Sequence, residues 1–157
     1  MLPRQALSPR RMPRQVRSRR MVAAILEAAA LVFVEVGYEN ASTNHIAQRA
    51  GVSVGSLYQF FPNKGALLAT LQAQWTERLG QALDVTLGRS EHRDLGGIVD
   101  DVLDVHANLN ASPPGLLGLL LTAPPLTPEG ETVRVAVQHR LEDILSRRAP
   151  HLGPARR

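Results

Sequence analysis

Between Ser42 and Lys64 the sequence concentrates side chains that can bind but not react: hydroxyls at Ser42, Thr43, Ser53 and Ser56, a phenol at Tyr58, an amide at Gln59 and an ammonium at Lys64. Hydroxyls, phenols and lysines donate to phosphate oxygens, and phosphate contacts set a protein's register on a duplex. Gln59 can pair with both edges of an adenine, serine hydroxyls can reach several bases, and Val54 can pack on a thymine methyl. Gly55 carries no side chain and would let its backbone come close to a partner. No arginine lies in this set, so the commonest guanine contact is missing and base discrimination by side chains is expected to be modest.

Such residues need elements to hold them, and the local signals are clear. Ile25, Ala29, Val32 and Val36 form the stripe of an amphipathic helix over Met21–Val36, closed by Gly37. Ser42 is placed to cap a second helix running from Thr43 to Ala50, which Gly51 ends. Ser53 caps a third, from Val54 to Phe60, and Asn63 caps the helix that starts at Lys64. Three short helices in this order, the second and third joined by a tight glycine turn, are the signature of a helix-turn-helix. Ile46, Ala47, Ala50, Val52, Leu57 and Phe61 fall where those helices must bury against one another. The third helix is the one that enters a major groove in this motif, with Ser53, Val54, Gly55, Ser56 and Gln59 toward the bases. The start of the second, Ser42 and Thr43, suits an anion.

Further along, Leu68, Leu71, Trp75, Leu79, Ala82 and Thr86 share one face of a long helix, with a loop over 88–94. Leu95, Ile98, Val102, Val105 and Leu109 mark another. Pro113-Pro114-Gly115 precedes an apolar segment, Leu116–Leu121. After Pro124-Pro125, Thr127 caps a last helix with the stripe Val133, Val137, Leu141 and Ile144. The expected class is all-α: a basic disordered arm over 1–18, a helix-turn-helix domain over 19–65, a short helical regulatory domain over 66–149, and a frayed tail over 150–157.

Charge is distributed unevenly. Residues 1–20 hold seven arginines and no acid, a charge of +7, whereas the other 137 residues hold eleven bases and fourteen acids, a charge of −3. From Met21 to Lys64 there are two bases, Arg49 and Lys64, against Glu27, Glu35 and Glu39. The arm is therefore expected to supply much of any affinity for phosphate. Arg19-Arg20 before an apolar stretch imitates an export signal, but Glu27 and Glu35 interrupt it and its apolar residues are periodic, so that reading is rejected. No uninterrupted apolar run reaches the ~18–20 residues that span a bilayer. The chain has no cysteine, which excludes disulfides and fits a cytoplasmic location.

The run GYENASTNHIAQRAGVSVGSLYQFFPNKGALLATL resembles the DNA-binding domain of the TetR family of bacterial regulators. The resemblance rests on Gly37-Tyr38, Ile46-Ala47, Ala50-Gly51-Val52-Ser53, Gly55-Ser56-Leu57-Tyr58, Phe61, Lys64 and Leu67-Leu68, and Phe60 departs from the histidine or tyrosine common there. It implies phosphate contacts at Ser42, Thr43, Tyr58 and Lys64, and base-facing positions at Val54, Gly55, Ser56 and Gln59. It also implies double-stranded operator DNA as partner, a pocket for a small apolar ligand among the later helices, and a homodimer. The usual dimerisation helices look to be missing. The expected function is a repressor released by its ligand; the alternative is a truncated interaction module that pairs with a full-length relative.

Single residues carry plainer readings too. His45 is a polar residue facing solvent or phosphate. Trp75 and His106 are the candidate ligand contacts, each with a structural alternative as core tryptophan and boundary histidine. Asp100, Asp101 and Asp104 beside His106 suggest a solvated acidic face rather than a metal site. No catalytic constellation, cofactor motif or metal motif is present in the sequence.

Overall fold

The computed structural model describes residues 16–88, 95–110 and 113–122, together with the single positions 135, 138, 139, 142, 143 and 146. The described elements are α1 (Val16–Asn40), α2 (Thr43–Arg49), α3 (Val54–Phe60), α4 (Lys64–Gly88), α5 (Leu95–Asn110) and α6 (Leu116–Thr122). No strand occurs among the described residues, so the all-α expectation holds. The last expected helix lies mostly outside them, but its six described positions are helical and Gln138 donates to Glu142 at 2.9 Å.

α1 starts earlier than the arginine-rich composition suggested. Val16, Arg17 and Ser18 are already helical, because arginine is a good helix former and extends a helix nucleated further along. The disordered arm expected over 1–18 is thus shortened at its C-terminal end, and residues 1–15 lie outside the described part. At the other end Gly37 (φ 77°, ψ 156°) interrupts the helix where the sequence indicated, and Tyr38–Asn40 add one further turn after the kink.

More of α1 is buried than one stripe. Ile25, Ala29 and Val32 are fully enclosed and Val36 half-buried, but Leu26, Ala28, Ala30 and Phe33 are buried as well. The reason is that α1 has partners on more than one side: it packs against α2, α4 and α6. By length and composition alone α1 could cross a bilayer, yet seven of its apolar side chains between Ile25 and Phe33 are buried in the fold, with Leu31 half-buried.

α4 and α6 follow their sequence signals closely, whereas of the stripe expected in α5 the side chains of Leu95, Ile98 and Leu109 lie outside the described part. α4 buries Leu67, Leu68, Leu71, Trp75, Leu79 and Leu83, with Ala82 half-buried; the side chain of Thr86 is outside the described part. α5 lies along α4 and buries Val105, leaving Val99 and Leu103 exposed. α6 returns to α1 through Leu116, Leu117 and Leu120.

The turn between α2 and α3 closes with two hydrogen bonds, Val52 N to Ala47 O at 3.0 Å and Gly51 N to Gln48 O at 3.2 Å. This is the Schellman arrangement, and it requires a left-handed residue after the helix end. Gly51 supplies it with φ 67°. A Cβ at Gly51 would touch nothing within 4 Å, so only backbone strain opposes a side chain. Gly51→Ala is expected to destabilise the fold by about 1 kcal/mol in urea unfolding; an unchanged midpoint would show that the turn relaxes without cost.

Candidate nucleic-acid interface

α2 and α3 each begin on the serine that the sequence nominated. Ser42 Oγ accepts from His45 N at 3.2 Å, and Ser53 Oγ accepts from Ser56 N at 3.0 Å. Both caps have extended backbone, as N-caps do. Asn63 Oδ1 accepts from Ala66 N at 2.9 Å at the start of α4. The two short helices are thereby held at their first turns by local contacts, and Ile46, Ala47, Leu57 and Phe61 lock them to the core.

The candidate residues gather on one outer surface. Thr43 Oγ1 and Tyr58 OH are 3.0 Å apart, joining the start of α2 to the middle of α3. In such a pair one hydroxyl donates to the other, so the accepting group keeps its own proton for an outside acceptor. Ser53 Oγ and Ser56 Oγ form a second pair at 2.8 Å, and Ser53 is committed first to its cap. Gln59 is exposed, with no hydrogen-bond partner among the described residues. Val54 is half-buried against the core, while Gly55 is exposed and a Cβ there would meet only Ser53 Oγ at 3.9 Å. Nothing inside the fold requires glycine at 55.

Both bases of the motif are already engaged. Arg49 Nη1 meets Glu35 Oε2 at 2.6 Å, with both side chains partly exposed. Lys64 Nζ donates to the backbone oxygens of Tyr38 at 2.9 Å and Glu39 at 2.8 Å. It also lies 4.6 Å from the centre of the Tyr38 ring, within reach of a cation–π attraction. The ring in turn packs on Phe33 at 5.4 Å between centroids. Burial, and next the charge of Glu39, push the Tyr38 phenol above its ordinary range. Lys64 thus bolts the first turn of α4 to the last turn of α1, leaving one of its three N–H groups for any other acceptor. Sequence reasoning missed Tyr38 and Glu39 as its partners, because a backbone carbonyl leaves no residue-type signal.

Away from this surface, Trp75 is buried in α4 and its indole Nε1 has no hydrogen-bond partner among the described residues. His106 lies in α5, and its side chain is outside the described part. Arg17, Arg19 and Arg20 are exposed at the N-terminal end of α1, whose first turn has no acid.

Residues 25–71 match the family model of bacterial regulatory proteins of the tetR family. Over this segment the chain is similar to the TetR family. A transcriptional repressor of Rhodococcus jostii, KstR, is 40% identical over 55 residues, covering 35% of this chain and 26% of the repressor. A gamma-butyrolactone receptor structure superposes with a TM-score of 0.62 at 28% identity, over 85% of this chain and 72% of that one. A TetR-family regulator from Streptomyces coelicolor gives 0.57 at 29% identity, over 87% and 86%. Against curated relatives that are 44% identical, the matched part of the chain spans 28% of their length.

The segment shared with the TetR family includes Tyr38, Glu39 and Lys64, so the whole clamp falls inside it. Replacing Lys64 by Met keeps the aliphatic stem and removes the charge. In urea unfolding, Lys64→Met is expected to cost about 1–2 kcal/mol, the worth of charge-assisted bonds at a half-buried site. A cost below about 0.3 kcal/mol, the size of an exposed ion pair, would show that the clamp carries no weight.

Proposed function

We propose that this chain is a TetR-family repressor that binds double-stranded operator DNA as a homodimer and is released by a small apolar ligand. The observation that carries the DNA part is the outer face of α3: Gly55, Tyr58 and Gln59 are exposed beside Ser56, while Leu57 and Phe60 anchor the helix from behind. Val54, Gly55, Ser56 and Gln59 read bases in the major groove, with Ser53 at the rim as the cap of the helix. Ser42, Thr43, Tyr58 and the remaining N–H of Lys64 hold the phosphates on either side.

With Arg49 and Lys64 both engaged, long-range attraction must come from elsewhere. Arg17, Arg19 and Arg20 stand at the positive end of α1, where cations are unfavourable in the free protein. An approaching phosphate relieves that repulsion. The residues before them add Arg4, Arg10, Arg11 and Arg14. Release would run through α4, whose first turn is bolted to α1 by Lys64 and whose later turns belong to the helical domain over 66–149. The repressor and receptor relatives support this reading, as do the apolar buried faces of α4–α6.

Two experiments test it. Gel shifts on DNA from upstream of the chain's own gene, paired with light scattering, should show a dimer with sequence-specific binding. A monomer with only salt-sensitive, unspecific binding would favour the interaction-module reading. Deleting residues 1–15 removes four arginines and leaves α1 whole, so the log–log salt slope should fall by up to about three or four units; an unchanged slope would remove the arm from the interface. Gly55→Ala separates fold from recognition: stability should rise by about 0.5–1 kcal/mol through helix propensity while operator affinity drops. Undiminished affinity would mean that α3 does not approach DNA at this point.

A further inference from the structure

Every side chain of α3 is described, and the hydroxyls on and beside it are already engaged within the motif. Ser53 Oγ and Ser56 Oγ lie 2.8 Å apart, and Ser53 also caps the helix. Tyr58 OH is 3.0 Å from Thr43 Oγ1 on α2. Gln59 differs: it is exposed and its amide has no hydrogen-bond partner among the described residues, so its oxygen and its NH2 are both open to an outside group. Leu57 and Phe60 are buried. At about 3.6 residues per turn, the opposite side of the helix is centred on Gly55, with Tyr58 and Gln59 a turn further on to either side. Gly55 leaves a methyl-sized notch there, since a Cβ would meet only Ser53 Oγ at 3.9 Å. The rim stays open because Val54 packs on the core and Tyr58 is tied to Thr43.

We infer, resting on the proposed binding to operator DNA, that this face takes a thymine close to an adenine. The thymine C5 methyl seats in the notch at Gly55, and the Gln59 amide pairs with N7 and N6 of the adenine. Among the groups that bases present in the major groove, the thymine methyl is the apolar projection. It fits a methyl-sized notch with Val54 beside it. Adenine offers an acceptor at N7 next to a donor at N6, which matches an amide whose donor and acceptor are both free. Guanine offers two acceptors, N7 and O6, and would leave the amide oxygen unpaired. Gly55 and Gln59 stand one turn apart, about 6 Å along the helix axis, and base pairs are spaced about 3.4 Å apart. The thymine and the adenine therefore fall within about two base pairs of each other. Gly55 selects by shape and Gln59 by hydrogen bonding.

Selection by the full-length chain from a pool of random-sequence duplexes supplies the site to probe. Single thymines in that site are then replaced by deoxyuridine, which lacks only the C5 methyl, and single adenines by 7-deazaadenine, which lacks the N7 acceptor. Deoxyuridine at one position per half-site is expected to weaken binding about fourfold, the worth of one buried methyl. One 7-deazaadenine within about two pairs of it should weaken binding about tenfold. Variants then show which residue reads which base. Gly55→Ala should lose about tenfold on the thymine duplex but less than about twofold on the deoxyuridine duplex, where the alanine methyl takes the space that the base methyl vacates. Gln59→Leu should be indifferent to 7-deazaadenine. The analogue series on the unsubstituted chain keeps the test valid should either variant fold poorly. If a site is selected but no deoxyuridine weakens it, or Gly55→Ala loses equally on both duplexes, the notch takes no methyl; this inference then fails while the operator reading stands. A cost of 7-deazaadenine that persists in Gln59→Leu overturns the adenine assignment in the same way. If the chain enriches no sequence from the pool, the operator reading fails and the thymine–adenine site falls with it.

Discussion

α1 cannot be removed from any part of this fold without exposing the rest, because two sets of helices use it as their common wall. α2 lies against it on the side of the helix-turn-helix, and α4 and α6 lie against it from the other. Ile25, Ala29, Val32 and Phe33 are fully enclosed as a result. A helix shared in this way cannot adjust to one set of partners without disturbing the other. Well-packed interiors transmit small displacements rather than absorbing them. The Lys64 clamp adds a polar tie at the far end of the same helix, where α1 has passed its Gly37 kink and its last carbonyls point outward. Cations suit that position by the helix dipole as well as by hydrogen bonding.

This arrangement explains why the motif has so little charge to spare. An ammonium used to hold two helices together has only one N–H left for a phosphate, and Arg49 is drawn to Glu35 on α1. The surface that faces outward from α2 and α3 is instead one of hydroxyls, an amide and a bare glycine backbone. Such a surface discriminates shape and hydrogen-bond pattern but attracts DNA weakly from a distance. Basic charge concentrated at the start of α1 and before it is the natural complement, since it adds attraction without entering the packed interior.

Much of this was legible in the sequence where the controlling interaction was local. Ser42, Ser53 and Asn63 each cap a helix within three residues of themselves, and Gly51 sits at a turn that needs its left-handed conformation. The candidate surface was legible for the same reason, since it is built on those two capped helices. What was missed depends on distance. The stripe of α1 was expected to be narrow because a period in sequence reports one buried face, not a second partner arriving from α6. Its start lies earlier than a solvated run of arginines implies, because arginine favours a helix once a neighbour has nucleated one. The Lys64 clamp spans 25 and 26 residues and ends on backbone oxygens.

The two halves also differ in how completely they satisfy their polar groups, and that difference bears on mechanism. Around α2 and α3 the caps, the Thr43–Tyr58 pair and the Lys64 clamp match donors with acceptors inside the fold. In the other half the Trp75 indole is left unmatched. Trp75 lies eleven residues after Lys64 on one continuous helix, about 16 Å along its axis at 1.5 Å per residue. A displacement of the helix at Trp75 therefore acts on the far end of a lever whose near end is bolted to α1. With Lys64 as the fixed point, a shift of about 1 Å at Trp75 tilts that segment by about 4°. The tilt must then be taken up by α1 or by the clamp. An intact clamp passes it to α1 and so to α2, which packs on it, whereas a loosened one would let α4 pivot alone.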